Sequence, residues 1–470
     1  MHLSQSKKHG ILPEKLCSDI LTWISKFRKH LDDDSVKFIR KQMSAAMEDP
    51  FGYFYLLYKI HKTPIKTRPV VSDCASVTHS LGKWVDVMLQ PFAQDLPSFF
   101  KDSFELKKTL NTINVPPGAR LFTCDAESMY TNIDTEAALT VISAFMIDPE
   151  TIKEYTHYNA ATLIAALEIV MRNNILRFGD KYAKQLSGTA MGKPCAPCWA
   201  ILFQGLDENK LVPTYIIYLK LYLRFIDDVL GLWVPVGTTA EDDEAWASFK
   251  ARVNNNHGLT WIFTERVMAV NFMDMTISID NDKIVTTLFE KPMALYLYIP
   301  PHSAHPPGVT AGHIFGEILR INRLCSAQDD ILERTRTFFR RLRSRGHQPQ
   351  QILPIFIKAI ANAKKYIATS DAERQQIFNR KEEEARRRAY FHVEYHPNSP
   401  KAFEIQKLFE DIILRPPGET PFNELGVGGS DIPLDAMVVA YHRPLNLENL
   451  FSYRKIDKRD GPSVSALVDK

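Results

Sequence analysis

Tyr222-Leu-Arg-Phe-Ile-Asp-Asp-Val-Leu-Gly231 places two adjacent carboxylates between two apolar runs. Before the acids, Leu219, Leu221, Leu223 and Phe225 alternate with Lys220, Tyr222 and Arg224. That period of two predicts a half-buried strand. Val229 to Val234 predicts a returning strand, which leaves Asp227 and Asp228 at a tight turn. Strands give rigid placement, and a turn lifts acidic side chains out of the sheet. An Asp-Asp pair is also common in solvated surface turns, so the hairpin alone leaves both readings open.

A further acid closes another apolar run far upstream, in Leu121-Phe-Thr-Cys-Asp-Ala-Glu-Ser-Met-Tyr-Thr-Asn-Ile133. Carboxylates drawn from two strands have a chemical use. Two divalent ions about 3.5–4 Å apart can clamp the attacking and leaving oxygens of a phosphoryl displacement, and hard oxygen donors suit Mg²⁺. Asp125 and Asp227 are the expected bridging ligands. Asp228 is an accessory ligand or a nearby charge, the carbonyl of Ala126 can complete a coordination sphere, and Glu127 is expected to face away.

The flanking stretches make the pattern family-specific. Tyr55-Leu-Leu-Tyr-Lys-Ile-His-Lys62 and Lys66-Thr-Arg-Pro-Val-Val-Ser72 resemble the fingers signature of Penelope-like reverse transcriptases. The Asp125 segment is similar to that family's first catalytic motif, Gly188-Thr-Ala-Met-Gly-Lys-Pro-Cys-Ala-Pro197 to its template-and-substrate loop, and Asn271-Phe-Met-Asp-Met-Thr-Ile277 to the strand after the Asp-Asp hairpin. Phe289-Glu-Lys-Pro292, His302-Ser-Ala-His-Pro306 and Arg320-Ile-Asn-Arg-Leu-Cys-Ser326 resemble the palm-to-thumb passage, and Asn446-Leu-Glu-Asn-Leu450 a connector near the end. The resemblance is ordered and spans roughly residues 50 to 455.

It implies an α+β right-hand polymerase of fingers, palm and mostly helical thumb, extending a DNA primer 3′-OH with dNTPs on an RNA template. The expected divisions are an N-terminal helical segment 1–49, fingers and palm 50–290, thumb 291–400 and connector or tail 401–470. Asp125, Asp227 and Asp228 would be catalytic, holding two Mg²⁺, with Mn²⁺ as a substitute. Lys66, Arg68, Tyr130, Gly188, Met191 and Gly192 would bind substrate, Tyr130 as a block against a ribose 2′-OH. Lys59, Lys62, Lys291, Arg334, Arg340, Arg341 and Arg343 would bind nucleic acid.

The residue types suit these roles. Lys59, Lys62, Lys66 and Arg68 surround a short extended segment, and the planar arginine fork grips phosphate oxygens in bidentate fashion. Gly188 and Gly192 would allow the backbone to approach a base pair closely. On a helix, the arginines of Arg334–Arg345 could hold a phosphate backbone, with Phe338, Phe339 and Leu342 for packing. Lys381–Arg388 instead balances acids and bases as a solvated helix does.

Some positions depart from the family pattern. Phe225 stands where an aromatic hydroxyl is usual, and Lys193 adds a charge beside the substrate loop. Members usually carry a C-terminal GIY-YIG endonuclease, and nothing here resembles its strands. An endonuclease-lacking or truncated form is expected, one that extends supplied 3′-ends without cutting DNA. Other readings stay open: a catalytically inactive nucleic-acid-binding remnant, an RNA-dependent RNA polymerase, disfavoured by the aromatic Tyr130, or a purely structural adaptor, which leaves the acids unexplained.

Composition bounds the rest. With 470 residues, 45% apolar and 24% charged, the chain can bury a sizeable core and divide into lobes. A net charge of +3 is too small for the overall field to bind nucleic acid, so local patches must do it. No apolar run reaches membrane-spanning length, and the N-terminus lacks a signal core, which predicts an intracellular protein without membrane contact, acting in the nucleus by its resemblance. The 6 cysteines suggest reduced thiols. Cys195 and Cys198 have C-x₂-C spacing, and His302, His305, His313 and Cys325 form another conceivable zinc cluster; packing or nucleic-acid contact is the preferred reading for both. Helices are expected over Glu14–Ala46 with Trp23, Ile24 and Phe27 on an apolar face, near Ser80–Leu96 and Ala160–Arg172, and beyond about 310 with a break at Gly346–Pro349. Pro235–Glu244 and Gly426–Gly429 read as loops.

Overall fold

A computed structural model of the chain describes residues 3–6, 13–47, 49–59, 64–74, 76–179, 181–255, 258–303, 305–306, 308–386, 388–395, 399–413 and 436–442. The fold is α+β, and the chain divides into two compact units, 1–294 and 295–470.

The first unit opens with a short strand β1 (Leu3–Ser6) and two helices, α1 (Pro13–Lys26) and α2 (Asp33–Ala46). The expected single helical segment is broken by a 3-10 turn at Arg28–His30, after which Asp32 restarts the helix by accepting from the Ser35 amide at 2.7 Å. Trp23, Ile24 and Phe27 are buried as their spacing implied. They do not form a core of their own. The Trp23 indole donates to the carbonyl of Thr162 at 2.9 Å, and residues of both helices belong to the main core, so 1–49 is part of the first unit.

A five-stranded sheet, ordered β1-β6-β5-β2-β3, joins that N-terminal strand to β2 (Gly52–Lys59), β3 (Lys66–Ser72), β5 (Ile175–Phe178) and β6 (Lys181–Gln185). A second sheet, ordered β7-β8-β4-β9, contains β4 (Arg120–Ala126), β7 (Leu219–Phe225), β8 (Asp228–Trp233) and β9 (Trp261–Phe263) and is antiparallel throughout. Helices α3 (His79–Gln94), α4 (Ser103–Thr112), α5 (Met129–Asn132), α6 (Thr135–Ile147), α7 (Pro149–Glu154), α8 (Ala160–Arg172), α9 (Ala196–Leu211) and α10 (Thr239–Asn254) complete the layers around it. Asn271–Ile277 is not one strand. It turns at Met273, whose φ is +52°, into a meander of β10 (Ala269–Phe272), β11 (Met275–Asp280) and β12 (Lys283–Leu288).

Two local expectations fail for identifiable reasons. Helix α10 begins inside the stretch Pro235–Glu244 that composition marks as a loop, because Thr238 and Glu241 form a capping box, the Thr238 amide donating to the Glu241 carboxylate at 2.7 Å. Strand β7 is buried on both faces instead of one: Lys220 is exposed, whereas Tyr222 and Arg224 are buried against the acid Glu208 of α9.

The second unit is helical through α11 (Val309–Leu324), α12 (Gln328–Ser344), α13 (Pro349–Ala368) and α14 (Asp371–Arg386). Ile314, Ile318, Phe338, Leu342, Ile352 and Phe356 make its core. Beyond them, β13 (Arg388–Glu394) pairs in parallel with β14 (Ala436–His442), and α15 (Ala402–Ile413) lies between them in sequence. Gly426–Gly429 and Asn446–Leu450 lie outside the described residues. Among the described residues, no helix is long and apolar enough to cross a membrane.

Gly231 shows how tightly the acid-bearing hairpin is packed. A Cβ there would lie 2.1 Å from Cζ of Phe122, which also packs edge-on to Trp246 at 4.9 Å between ring centroids. Neither ring has room to retreat. Gly231→Ala is expected to lower unfolding free energy by about 1–3 kcal/mol, read from the urea midpoint of the first transition. A midpoint equal to the parent's would show that the Phe122 ring can shift.

Candidate active site

The second sheet brings the three acids together. Asp125, near the end of β4, is the direct cross-strand partner of Asp228, the first residue of β8, while Phe225 faces Asp228 from the other side. Ile226 and Asp227 therefore form the turn between β7 and β8. The Ala126 amide donates to the carbonyl of Asp227 at 2.9 Å, tying the turn to the end of β4. Ile226 holds φ at +57°, a conformation that costs a β-branched residue on the order of 1–3 kcal/mol unless its surroundings enforce it.

The electrostatics follow from this crowding. Burial, the negative charges of Asp227 and Asp125, and a hydrogen bond with Asp125 push the Asp228 carboxyl up to about 7, against the pull of Lys291. Burial also raises Asp227, opposed by a hydrogen bond to its own backbone and by Arg68, Lys59 and Arg224. Among the described residues, no three His, Cys, Asp or Glu side chains converge into a ready-made metal cage. The acids form a close pair, Asp125 with Asp228, beside Asp227 on the turn. Hard oxygens short of positive charge still fit Mg²⁺, which commonly takes only one or two carboxylates and completes its octahedron with water and phosphate.

The cations come from the first sheet. Lys59 and Lys66 are cross-strand partners on β2 and β3, and Arg68 lies two residues beyond Lys66. Glu127, expected to face away, is 3.7 Å from Lys66 Nζ in an exposed ion pair, so Lys66 reaches this region already partnered. Lys62 lies outside the described residues. The half-buried Tyr130 has its hydroxyl pKa raised by burial and then by Asp227 and Cys198, with Arg68 opposing, which sets the ring beside the acidic turn.

The glycine loop is held by protein backbone. A Cβ on Gly192, at φ +120°, would lie 2.1 Å from the Val71 carbonyl, and one on Gly188, at φ +82°, 2.7 Å from the carbonyls of Tyr130 and Thr131. The carbonyl of Met191 accepts from the Val71 amide at 2.9 Å. These glycines dock the loop onto β3 and the Tyr130 segment. Lys193 in the same loop is buried, with Nζ 2.8 Å from Thr78 Oγ1 and 3.4 Å from Asp73 Oδ1, so its charge is engaged inside the protein.

The other candidates have contacts of their own. Arg341 stacks over the Tyr296 ring at 3.6 Å and Arg340 lies 3.2 Å from Glu333, so neither is an unengaged cation. Arg334 is also engaged, while Arg336, Arg340 and Arg343 are exposed on α12. Cys195 and Cys198 are buried thiols, with Cys195 pushed up to about 12 mainly by burial. His313 packs against Tyr298 and Phe338, His305 Nδ1 lies 2.8 Å from Ser303 Oγ, and Cys325 is buried. The residues that sequence reasoning missed are Glu208 and Ser98. Glu208 accepts from Arg224 Nε at 2.7 Å and Tyr222 at 3.0 Å, and from Ser98 at 2.7 Å. Glu208 sits in the polar run Asp207-Glu208-Asn209-Lys210 near the end of α9, which gave no signal that it is buried.

No protein-family model matches the chain, and no curated protein matches it in sequence. Among solved structures, it is similar to telomerase from Candida albicans in complex with a TWJ fragment of telomeric RNA, at TM-score 0.46 and 8% identity, over 79% of this chain and 68% of that one. Apo telomerase from Candida tropicalis overlaps at TM-score 0.40 and 10% identity, over 77% and 70%. The BmCPV RNA-dependent RNA polymerase at its elongation state overlaps at TM-score 0.42 and 13% identity, over 72% of this chain and 30% of that one. All three scores lie below 0.5, so the functional reading rests on this chain's own residues.

The raised Asp228 carboxyl gives a sign to pH dependence. Between the ordinary carboxylate pKa near 4 and the folded value of about 7, the folded chain binds more protons at Asp228 than the unfolded chain, so this group's contribution to stability falls as pH rises. Asp228→Asn is expected to resist urea better than the parent at pH 8, and to lose that advantage below about pH 4, where the carboxyl is protonated in both states. An equal difference between the two proteins at both pH values would contradict the crowding of the acids.

Proposed function

We propose that this chain is an RNA-directed DNA polymerase of the Penelope-like kind, extending a primer 3′-OH with deoxynucleotides. The observation that carries the proposal is the cross-strand register of Asp125 with Asp228, with Asp227 on the adjoining turn. Carboxylates crowded in a half-buried site are unfavourable without a cation, and the raised Asp228 carboxyl carries that penalty, first from burial and then from the charges of Asp227 and Asp125. In this reading the β7–β8 hairpin belongs to the palm, the β2–β3 hairpin to the fingers and α11–α13 to the thumb.

Asp125 and Asp227, with Asp228 and the Ala126 carbonyl in support, would hold two Mg²⁺ ions, for which Mn²⁺ could substitute. Bound divalent ions would supply Lewis acidity at the primer 3′-oxygen and neutralise triphosphate charge. The protein's part is positioning. Arg68 and Lys59, whose charges already act on Asp227, would meet the triphosphate, and Lys291, whose charge acts on Asp228, would contact the nucleic acid. Tyr130 would lie against the sugar. Arg334, Arg340, Arg341 and Arg343 on α12, with the exposed Arg336 beside them, are the cations proposed for the template–primer backbone.

Purified protein with Mg²⁺, an RNA template and an annealed DNA primer should incorporate dNTPs. Asp227→Asn should reduce incorporation on the order of a thousandfold, corresponding to about 4 kcal/mol of transition-state stabilisation, with template–primer binding retained. Extension by that variant near the parent rate would sink the metal assignment.

The choice of sugar is tested separately. Tyr130→Ala should raise the ratio of rGTP to dGTP incorporation while the chain still extends with dGTP. A ratio unchanged from the parent would remove Tyr130 from sugar selection, and efficient use of ribonucleotides by the parent itself would favour an RNA-dependent RNA polymerase.

A further inference from the structure

Directly behind the acidic turn lies a buried ion pair that the proposed chemistry does not use. Arg224 and Glu208 expose 1% and 3% of their side chains. The Arg224 guanidinium is directed to three separate acceptors: Nε donates to Glu208 Oε1 at 2.7 Å, Nη2 to the carbonyl of Ile201 at 2.9 Å and Nη1 to the carbonyl of Ile226 at 2.9 Å. Its backbone amide donates to the carbonyl of Ser98 at 2.7 Å. Glu208 is held in turn, accepting from Tyr222 and from Ser98.

The third acceptor is the informative one. Ile226 is the turn residue at φ +57°, and Asp227 follows it immediately. A charged donor on the Ile226 carbonyl fixes the orientation of the Ile226–Asp227 peptide plane. On the far side of Asp227, the Ala126 amide holds the Asp227 carbonyl. The two peptide groups flanking the Asp227 Cα are therefore both anchored, one from β4 and one from α9 by way of Arg224. The space also suits this contact: a Cβ on Gly205 would lie 3.2 Å from Arg224 Nη2 and 2.4 Å from Leu96 Cδ1. Resting on the polymerase reading above, we infer that Arg224, oriented by Glu208, is a positioning residue that aims Asp227 by holding the Ile226 carbonyl.

A lysine cannot reproduce this arrangement, because its donors diverge from one nitrogen and the three acceptors lie in three directions. Arg224→Lys keeps the charge against Glu208 but should release the Ile226 carbonyl. The double variant Arg224→Met/Glu208→Gln leaves no unpaired buried charge; the Gln oxygen keeps an acceptor for one of the Ser98 and Tyr222 hydroxyls and its amide can donate to the other, which protects the fold. For each variant, two quantities are measured: single-turnover incorporation per active site on a primed template, and hydrogen exchange of the Ala126 amide. The Leu121 amide, which donates to the Val267 carbonyl at 2.8 Å, serves as the control for the sheet.

Incorporation is expected to fall about ten- to a hundredfold, with KM for the dNTP nearly unchanged, because the loss is one of geometry at the reacting centre. Ala126 exchange should accelerate by about tenfold or more while Leu121 exchange stays as in the parent. Either variant incorporating at the parent rate per active site would overturn the inference. So would acceleration of Leu121 and Ala126 together, which marks general loosening. If the parent itself extends no primer, the polymerase reading falls, and the exchange data decide alone: Ala126 protection unchanged in both variants overturns the positioning role.

Discussion

The acid-bearing turn depends on a charge that faces the interior. Removing an arginine and a glutamate from water costs several kcal/mol each, and their mutual attraction offsets this only when the remaining donors and acceptors are also satisfied. Around Glu208 and Arg224 they are, by Ser98, Tyr222 and two backbone carbonyls. A pair satisfied this completely contributes little net stability compared with apolar packing. What it supplies is direction, since an aliphatic pair could fill the volume but could not hold a carbonyl. The left-handed backbone of Ile226 is the local strain this arrangement supports.

Above the turn, the balance of charge is reversed. Asp125, Asp227 and Asp228 crowd the end of the second sheet, and besides Arg224 of β7 the cations that influence them come from other elements: Lys59 and Arg68 on the β2–β3 hairpin and Lys291 after β12. Lys66, the residue placed to join them, is paired with Glu127 instead. An exposed pair of this kind is worth about 0–1 kcal/mol and is easily exchanged for a stronger anion. The site thus holds crowded carboxyl groups beside cations drawn from other elements, one of them, Lys66, only loosely engaged.

The loop from Gly188 to Lys193 connects these two regions. Its glycines permit contact with the backbones of Val71 and Tyr130, and Lys193 fastens it internally through Asp73 and Thr78. Burial raises the Asp73 carboxyl pKa, but the charge of Lys193, the neighbouring His79 and the hydrogen bond from Ser76 outweigh it and leave it below the usual carboxylate value. Strand β3, which carries Arg68, and the segment that carries Tyr130 are both docked on this loop. Small residues there set the spacing between the elements that flank the acids.

Much of this was legible in the sequence. The hairpin with Asp227 at its turn, Asp125 at a strand end, the helices at 160–172 and beyond 310, and the buried face of Trp23, Ile24 and Phe27 all follow from period and punctuation, because apolar spacing and turn chemistry are local properties. The turn falls one residue earlier than expected, at Ile226 and Asp227, because Asp228 pairs across to Asp125 as the first residue of β8. The start of α10 was equally local, in Thr238 and Glu241, and composition masked it. Tertiary structure alone decided which partner each polar group takes. Alternation assigned Tyr222 and Arg224 to solvent, yet Glu208 from α9 makes their burial favourable. Lys193, Arg340, Arg341 and Lys66 read as available cations until Asp73, Glu333, Tyr296 and Glu127 arrive from elsewhere in the chain. A sequence displays charge and periodicity residue by residue, but a charge becomes a ligand, a clamp or a bystander through contacts between segments distant along the chain.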